Sequence, residues 1–258
     1  MTGLPVLPDA LLRLPVAHRA YHDIASGRPE NSRAAIRAAI AAGYGIEIDL
    51  QLTADGAAMV FHDYDLGRLT GQAGPLRRRS AAEASAIPLL NGDGETIPRF
   101  EEILDLVAGR VPLLVELKDQ DGAMGPDVGS LEAATARALS GYAGPVAVMS
   151  FNPHSMAELA RLAPELPRGL TTCSYDPADW PLTVETCERL RAIPDFERVG
   201  AGFISHQAGD LSRPRVRALH SDGVPVLCWT IRSPEAEAEA RKLADNITFE
   251  GYAAAIPA

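Results

Sequence analysis

Apolar bursts of strand length alternate with helical patterns along almost the whole chain, and that rhythm limits the folds open to it. A burst at 16–20 is followed by a helical stretch at 32–42, which Asn31 or Ser32 can cap and Gly43 can stop. A second strand spans 45–52. Thr53-Ala54-Asp55-Gly56 then reads as a tight turn into an arm at 58–62, because Asp-Gly supplies the positive φ that a hairpin needs. Residues 63–97 lack clean periodicity and read as an excursion inserted over one end of the fold. Helical pattern resumes at 99–107, followed by strand 112–118, helix 131–139 and strand 145–151. Asn152 as cap and Pro153 at the first helical position signal the next helix. Strand 169–172, helix 184–191, strand 199–206, helix 214–219, strand 224–230, a helix over 233–243 and a last strand at 246–249 complete the series.

With the 58–62 arm set aside as an appendage, eight βα units remain. Strands alternating with helices imply a parallel sheet, and eight such units imply a closed (β/α)8 TIM barrel of the α/β class. A length of 258 residues suits one barrel domain over 1–258. A doubly wound open sheet competes, but no Gly-x-Gly-x-x-Gly turn follows a strand. Hydrophobic residues make up 47% of the chain and aromatic ones only 5%, so the core is aliphatic, as barrel strands under helices require.

A formal net charge of -10 argues against nucleic acid as a partner, since neutralising a run of phosphates needs a basic face. Cys173, Cys187 and Cys228 are scattered and odd in number, which fits neither a disulfide framework nor a metal knuckle. The N-terminal stretch has no basic leader, and Pro5, Pro8, Asp9 and Pro15 interrupt it. It reads as neither a signal peptide nor a membrane span, so a soluble, cytoplasmic protein is expected. Oligomeric state leaves no mark in the sequence.

In a TIM barrel the site lies at the C-terminal ends of the strands. The first strand ends in His18-Arg19, and the second carries Glu47-Ile48-Asp49. A period of two puts both carboxylates on one side, where a proton or a cation must relieve their repulsion. The arm ends in His62-Asp63, and the next strand brings Glu116-Leu117-Lys118. Three oxygen ligands with room for phosphate oxygens suit a hard divalent cation, magnesium or calcium, better than zinc. The histidines are then free to move protons. Each piece alone has a plainer reading: a polar strand edge, a turn pair, a salt-bridged strand end. Their joint placement at successive strand ends is what points to chemistry.

Ala17-His18-Arg19, Pro29-Glu30-Asn31-Ser32 and Glu47-Ile48-Asp49, continued by Thr53-Ala54-Asp55-Gly56 and Val60-Phe61-His62-Asp63, resemble the opening signature of the glycerophosphodiester phosphodiesterase family. Ile97-Pro98-Arg99-Phe100-Glu101-Glu102, Glu116-Leu117-Lys118, Ser150-Phe151 and Trp229-Thr230 are similar to its later segments. The resemblance is dense through Lys118 and fainter beyond Phe151. It implies a catalytic barrel that cleaves a small phosphodiester into glycerol 3-phosphate and an alcohol. Glu47, Asp49 and Glu116 would be ligands of one divalent metal ion, Mg2+ or Ca2+. His18 and His62 would form the acid–base pair, Arg19 and Lys118 would hold the phosphate, and Trp229 and Phe151 would line the substrate pocket. Glu30 and Asn31 fit as supports for the first loop.

Three departures stand out. Ala20 replaces the family's glycine after His-Arg, residues 21–28 lengthen the first loop, and the last strand reads Asn246-Ile247-Thr248-Phe249-Glu250 where the family favours Ile-Thr-Asp-x-Pro. His22, His154, His206 and His220 read as solvated or structural. Three rival readings remain open. Lysophospholipase D and sphingomyelinase D enzymes resemble the same scaffold but need an apolar rim, and 63–97 offers few large apolar residues. A barrel lyase would use Lys118 as an amine nucleophile. A silent phosphoester binder would lack a ligand or a histidine, and none is missing.

Overall fold

The structure is a computed structural model that describes residues 5–257. Within them one sheet is built from β1 (Val16–Ala17), β2 (Gly45–Leu52), β3 (Ala58–Val60), β4 (Leu113–Leu117), β5 (Val146–Ser150), β6 (Arg168–Thr172), β7 (Phe203–Gln207), β8 (Val226–Ile231) and β9 (Asn246–Phe249). β3 runs antiparallel to β2 as the hairpin arm. The other strands pair in parallel, and β1 closes the ring by pairing with both β2 and β9. This is the (β/α)8 barrel that the alternation predicts. Among the described residues no helix is long and apolar enough to cross a membrane.

Local signals set the helices that clothe the barrel. Ser32 accepts from the Ala35 amide at the start of helix Arg33–Ala42, and Gly43 ends it at φ 78° in the left-handed region. That helix buries Ala35, Ile36 and Ala39 against the sheet. Asn152 accepts from the His154 amide at the head of Pro153–Leu162. Its side-chain amide also donates to Asp119 and to the Gly125 carbonyl, each at 2.8 Å, which ties the loop after β4 to the end of β5.

Inside the barrel, residues two apart on a strand share a face. Leu114, Ala147, Phe203 and Leu227 form an apolar lower layer with Val16, and Leu7 and Leu11 from the N-terminal segment pack beneath them. Glu116, Met149, Ser205 and Trp229 stand two residues further along the same strands and line the cavity above. The helix Asp9–Arg13 that carries Leu11 is not foreseen by the sequence reading, since prolines flank it and it is only five residues long. Tertiary contacts hold it: Asn246 donates to the carbonyls of Leu11 and Leu14 at 2.7 Å each.

Other boundaries differ from the sequence expectation. β1 stops at Ala17 because Arg19 and Ala20 turn through left-handed φ values of 51° and 64°. β7 begins at Phe203 rather than 199, after a turn through Gly200 at φ 59°. Segment 63–97 contains short helices at Gly67–Thr70 and Ala81–Ser85 around an apolar cluster of its own. Leu66, Leu69, Leu76, Ile87, Leu89 and Ile97 are buried there with Met59 and Phe61 of the arm. The segment's large apolar residues thus mostly face inward, which is why it shows no single helical period.

Gly169 on β6 is the register partner of Phe203 on β7, and a Cβ at Gly169 would lie 2.5 Å from the Phe203 ring. Gly169→Ala is expected to destabilise the fold by about 1–3 kcal/mol through overpacking, read as a lower midpoint in chemical denaturation. Gly209→Ala is the control, since nothing beyond its chain neighbours lies within 4 Å of its Cβ, and its midpoint should stay at or slightly above the wild-type value.

Candidate active site

Glu47 and Asp49 project from β2, and the parallel register sets Asp49 beside Glu116 of β4. Ligand atoms of the three carboxylates lie within 4.8 Å of one another, and all three residues are buried. Two unit charges at that separation repel by about 3 kcal/mol at an effective dielectric of about 20, so the group cannot persist without compensation. The Lys118 ammonium supplies part of it, 2.8 Å from Asp49 Oδ1 and 2.6 Å from Glu116 Oε1. Asn31 donates to Asp49 Oδ2 at 2.9 Å, and Arg19 Nε stands 3.8 Å from the same oxygen. The left-handed turn at Arg19 and Ala20 aims the Arg19 amide at Glu47 Oε2, 2.8 Å away.

The compensation is uneven. Burial and repulsion by Asp49 and Glu116 push the Glu47 carboxyl well above its ordinary value. Burial also opposes ionisation of Asp49, but Lys118, His62 and Arg19 outweigh it and hold Asp49 far below the usual carboxylate range. Burial would neutralise Lys118, yet Asp49 and Glu116 raise it above the ordinary lysine value. Lys118 therefore stays an ammonium, which removes the amine nucleophile of the lyase reading.

Each candidate acid–base histidine is gripped at Nδ1 by a carboxylate. His18 Nδ1 lies 2.6 Å from Glu250 Oε2, and His62 Nδ1 lies 2.7 Å from Asp63 Oδ1. That contact fixes ring orientation and leaves Nε2 for the cavity. Burial lowers the His18 value despite the Glu250 carboxylate, so near neutral pH the contact is an imidazole N–H donating to a carboxylate.

His18, Arg19, Glu47, Asp49, His62, Glu116, Lys118, Phe151 and Trp229 all line one cavity of about 180 Å3 at the C-terminal ends of the strands. The structure thus brings together every candidate residue that the sequence singles out. Phe151 and Trp229 form its half-buried aromatic side, with ring centroids 5.6 Å apart and planes at 86°. The Trp229 indole N–H donates to the Ser205 carbonyl at 3.0 Å. Met149, Thr171, Ser205, Thr230, Arg232 and Thr248 complete the lining.

Sequence reasoning missed Glu250. It sits one residue past β9, and its signal was a carboxylate at a strand end in the very segment that departs from the family pattern. His22 also differs from expectation: it is mostly buried, and its Nε2 lies 3.6 Å from Glu250 Oε2. His206 is structural as read, buried with Nδ1 2.7 Å from Thr172 Oγ1 and Nε2 3.2 Å from Asp210. Glu30 and Asn31 do support the first loop, through Arg19 and Asp49.

Glu250 gives a pH test. His18 and His22 hold its carboxyl far below the ordinary 4.5 against a smaller push from burial, and Arg232 adds to the lowering. Because the folded value is depressed, the stabilisation is fully present above about pH 4.5 and is lost as pH falls below it. The stability difference between wild type and Glu250→Gln should therefore be constant from pH 7 to 8 and shrink below about pH 4.5 in pH-dependent urea denaturation. A gap that widened below about pH 4.5 would contradict this arrangement.

Residues 18–247 match the Glycerophosphoryl diester phosphodiesterase family. The YhdW protein of Bacillus subtilis is 25% identical over 232 residues, covering 87% of this chain and 88% of that one. The glycerophosphodiester phosphodiesterase of the same organism is 27% identical over 216 residues, 78% of this chain and 70% of its own. Among solved structures, an Oleispira antarctica phosphodiesterase in complex with its product sn-glycerol-3-phosphate superposes with a TM-score of 0.75 at 24% identity, over 92% of this chain and 93% of that one. With the family match spanning the barrel from the end of β1 into β9, the chain belongs to the glycerophosphoryl diester phosphodiesterase family.

Proposed function

We propose that this protein hydrolyses small glycerophosphodiesters, such as glycerophosphocholine or glycerophosphoethanolamine, to glycerol 3-phosphate and an alcohol, and that the reaction depends on one divalent metal ion. The observation that carries the reading is the joint presence, in one cavity, of three buried carboxylates and two carboxylate-gripped histidines. The product named for the Oleispira antarctica structure supports glycerol 3-phosphate as the product here. In this reading the chain is one catalytic domain, and segment 63–97 shapes the rim of its site.

The donor set fits the metal. Glu47, Asp49 and Glu116 offer only oxygen and are buried, and burial together with their mutual repulsion pushes Glu47 toward its neutral form. A hard cation such as magnesium or calcium relieves that repulsion and suits such ligands. When bound, it supplies charge stabilisation to a non-bridging phosphate oxygen.

The chain's own groups account for the rest. Arg19 offers a planar fork to phosphate oxygens and Lys118 a point charge. His18, kept neutral by burial and oriented by Glu250, takes the proton from the attacking hydroxyl. That hydroxyl is the neighbouring one on the glycerol, and its attack gives a cyclic phosphate while the P–O bond to the alcohol breaks. His62, oriented by Asp63, donates a proton to the departing alkoxide. In a second step water opens the ring with the two roles exchanged, which returns both histidines to their starting states.

A cavity of about 180 Å3 is smaller than the ~300–1,000 Å3 typical of sites for drug-sized ligands, which favours a compact diester over a lysolipid or sphingolipid. The inward-facing core of 63–97 points the same way.

Release of glycerol 3-phosphate from glycerophosphocholine should require magnesium or calcium and stop with EDTA, while micellar lysolipid is turned over poorly. His18→Ala and His62→Ala should each lower kcat by roughly 10²–10⁴-fold while the protein stays folded. Near-normal turnover by His18→Ala, or full activity in EDTA, would refute the mechanism.

A further inference from the structure

Arg68 touches none of the cavity and has no part in the steps above, yet it is bonded to the groups that hold two of the reacting residues. It sits on the short helix Gly67–Thr70, in the segment after the hairpin arm, with its side chain 49% exposed. Its Nε and Nη2 donate to the two oxygens of Asp63 at 2.7 and 2.8 Å. Its Nη1 and Nη2 donate to the two oxygens of Glu30 at 2.8 Å each. Asp63 in turn grips His62 Nδ1 at 2.7 Å, and Glu30 accepts from Arg19 Nη1 at 2.8 Å.

We infer that Arg68 is a positioning residue that fixes His62 through Asp63 and Arg19 through Glu30, so that the proton donor and the phosphate-binding arginine are set by one guanidinium. The inference rests on the catalytic reading above for the roles of His62 and Arg19. Its geometric part stands on the bonds alone.

The residue type is the one this task needs. A guanidinium presents five N–H donors in a rigid plane, and four of them are spent here on two carboxylates at once. A lysine ammonium could neutralise the same pair but could not hold both in a fixed plane. The helix that carries Arg68 is itself anchored. Leu66 and Leu69 are buried in the segment's own core, and Asp65 accepts from the Gly67 amide at 2.9 Å. The position of segment 63–97 is thereby passed to two loops that come from different strands, the one after β1 and the one after β3. A purely stabilising ion pair is the plainer alternative. Half-exposed pairs contribute little to stability, so the two roles separate cleanly by experiment.

The test is steady-state kinetics on glycerophosphocholine for Arg68→Met, Arg68→Lys, Glu30→Gln and Asp63→Asn, with melting temperatures and the ¹H–¹⁵N signal of the His62 Nδ1 proton. Asp63→Asn should lower kcat, and Glu30→Gln should raise KM. Arg68→Met should do both, with a loss of about 10²-fold in kcat/KM at an unchanged melting temperature. Adding Asp63→Asn to Arg68→Met should cost less kcat than Asp63→Asn costs in the wild type, because the two substitutions weaken one chain of contacts. Methylguanidine below denaturing concentrations should restore part of the activity of Arg68→Met, and Arg68→Lys should recover less than half of the loss. The His62 signal should stay sharp in wild type and Glu30→Gln and broaden by exchange in Arg68→Met.

Values of kcat and KM within about twofold of wild type for Arg68→Met, or a loss that follows its melting temperature, would overturn the inference. So would an unchanged His62 signal. If wild type hydrolysed no glycerophosphodiester, the catalytic reading would fall. The His62 signal would still decide whether Arg68 sets that ring.

Discussion

Three carboxylates share a buried space at the mouth of the barrel, and the structure around them is arranged to make that possible. Parallel pairing puts Asp49 next to Glu116, and the two-residue period puts Glu47 on the same face. Lys118 from the end of β4, Arg19 from the end of β1 and Asn31 from the first loop close on the group from three directions. The left-handed turn at Arg19 and Ala20 follows from the same demand, since it directs a backbone amide at Glu47. Below this layer Leu114, Ala147, Phe203 and Leu227 form an apolar floor that Leu7 and Leu11 close. Buried charge tolerated at such cost is expected where a protein does chemistry, and structural networks alone give less reason for it.

The two histidines show how separate parts of the chain are recruited to one task. His18 leaves β1 and is oriented by Glu250 from just beyond β9, which is β1's neighbour in the ring. His62 leaves the arm and is oriented by the residue beside it, Asp63. One grip therefore depends on barrel closure, and the other on a local turn braced by segment 63–97. The first loop, longer than the family pattern by residues 21–28, adds His22 to the surroundings of Glu250 and stacks Tyr21 against Tyr44 and Phe249.

Much of this was legible in the residues. Strand β2 and the last strand were placed at their observed limits because flanking glycines, turns and alternation agree there. All nine candidate site residues meet in one cavity because each was chosen at a strand end, where a barrel must gather them. What could not be read depended on contacts distant in sequence. Glu250 and His18 are 232 residues apart, and only closure of the ring reveals their contact. The helix Asp9–Arg13 has no propensity signal strong enough to stand alone and exists because the barrel floor needs Leu11. Segment 63–97 defeated a periodic reading because its apolar residues converge on a small local core from several short turns.

The central claim is that Glu47, Asp49 and Glu116 hold a divalent cation, and calorimetric titration of the metal-free protein with calcium and with magnesium tests it most directly. The account predicts one ion bound per chain, with affinity reduced in Asp49→Asn and Glu116→Gln by at least the roughly 10–100-fold that losing an outer-shell partner costs. Failure to bind either ion, or binding indifferent to both substitutions, would contradict it.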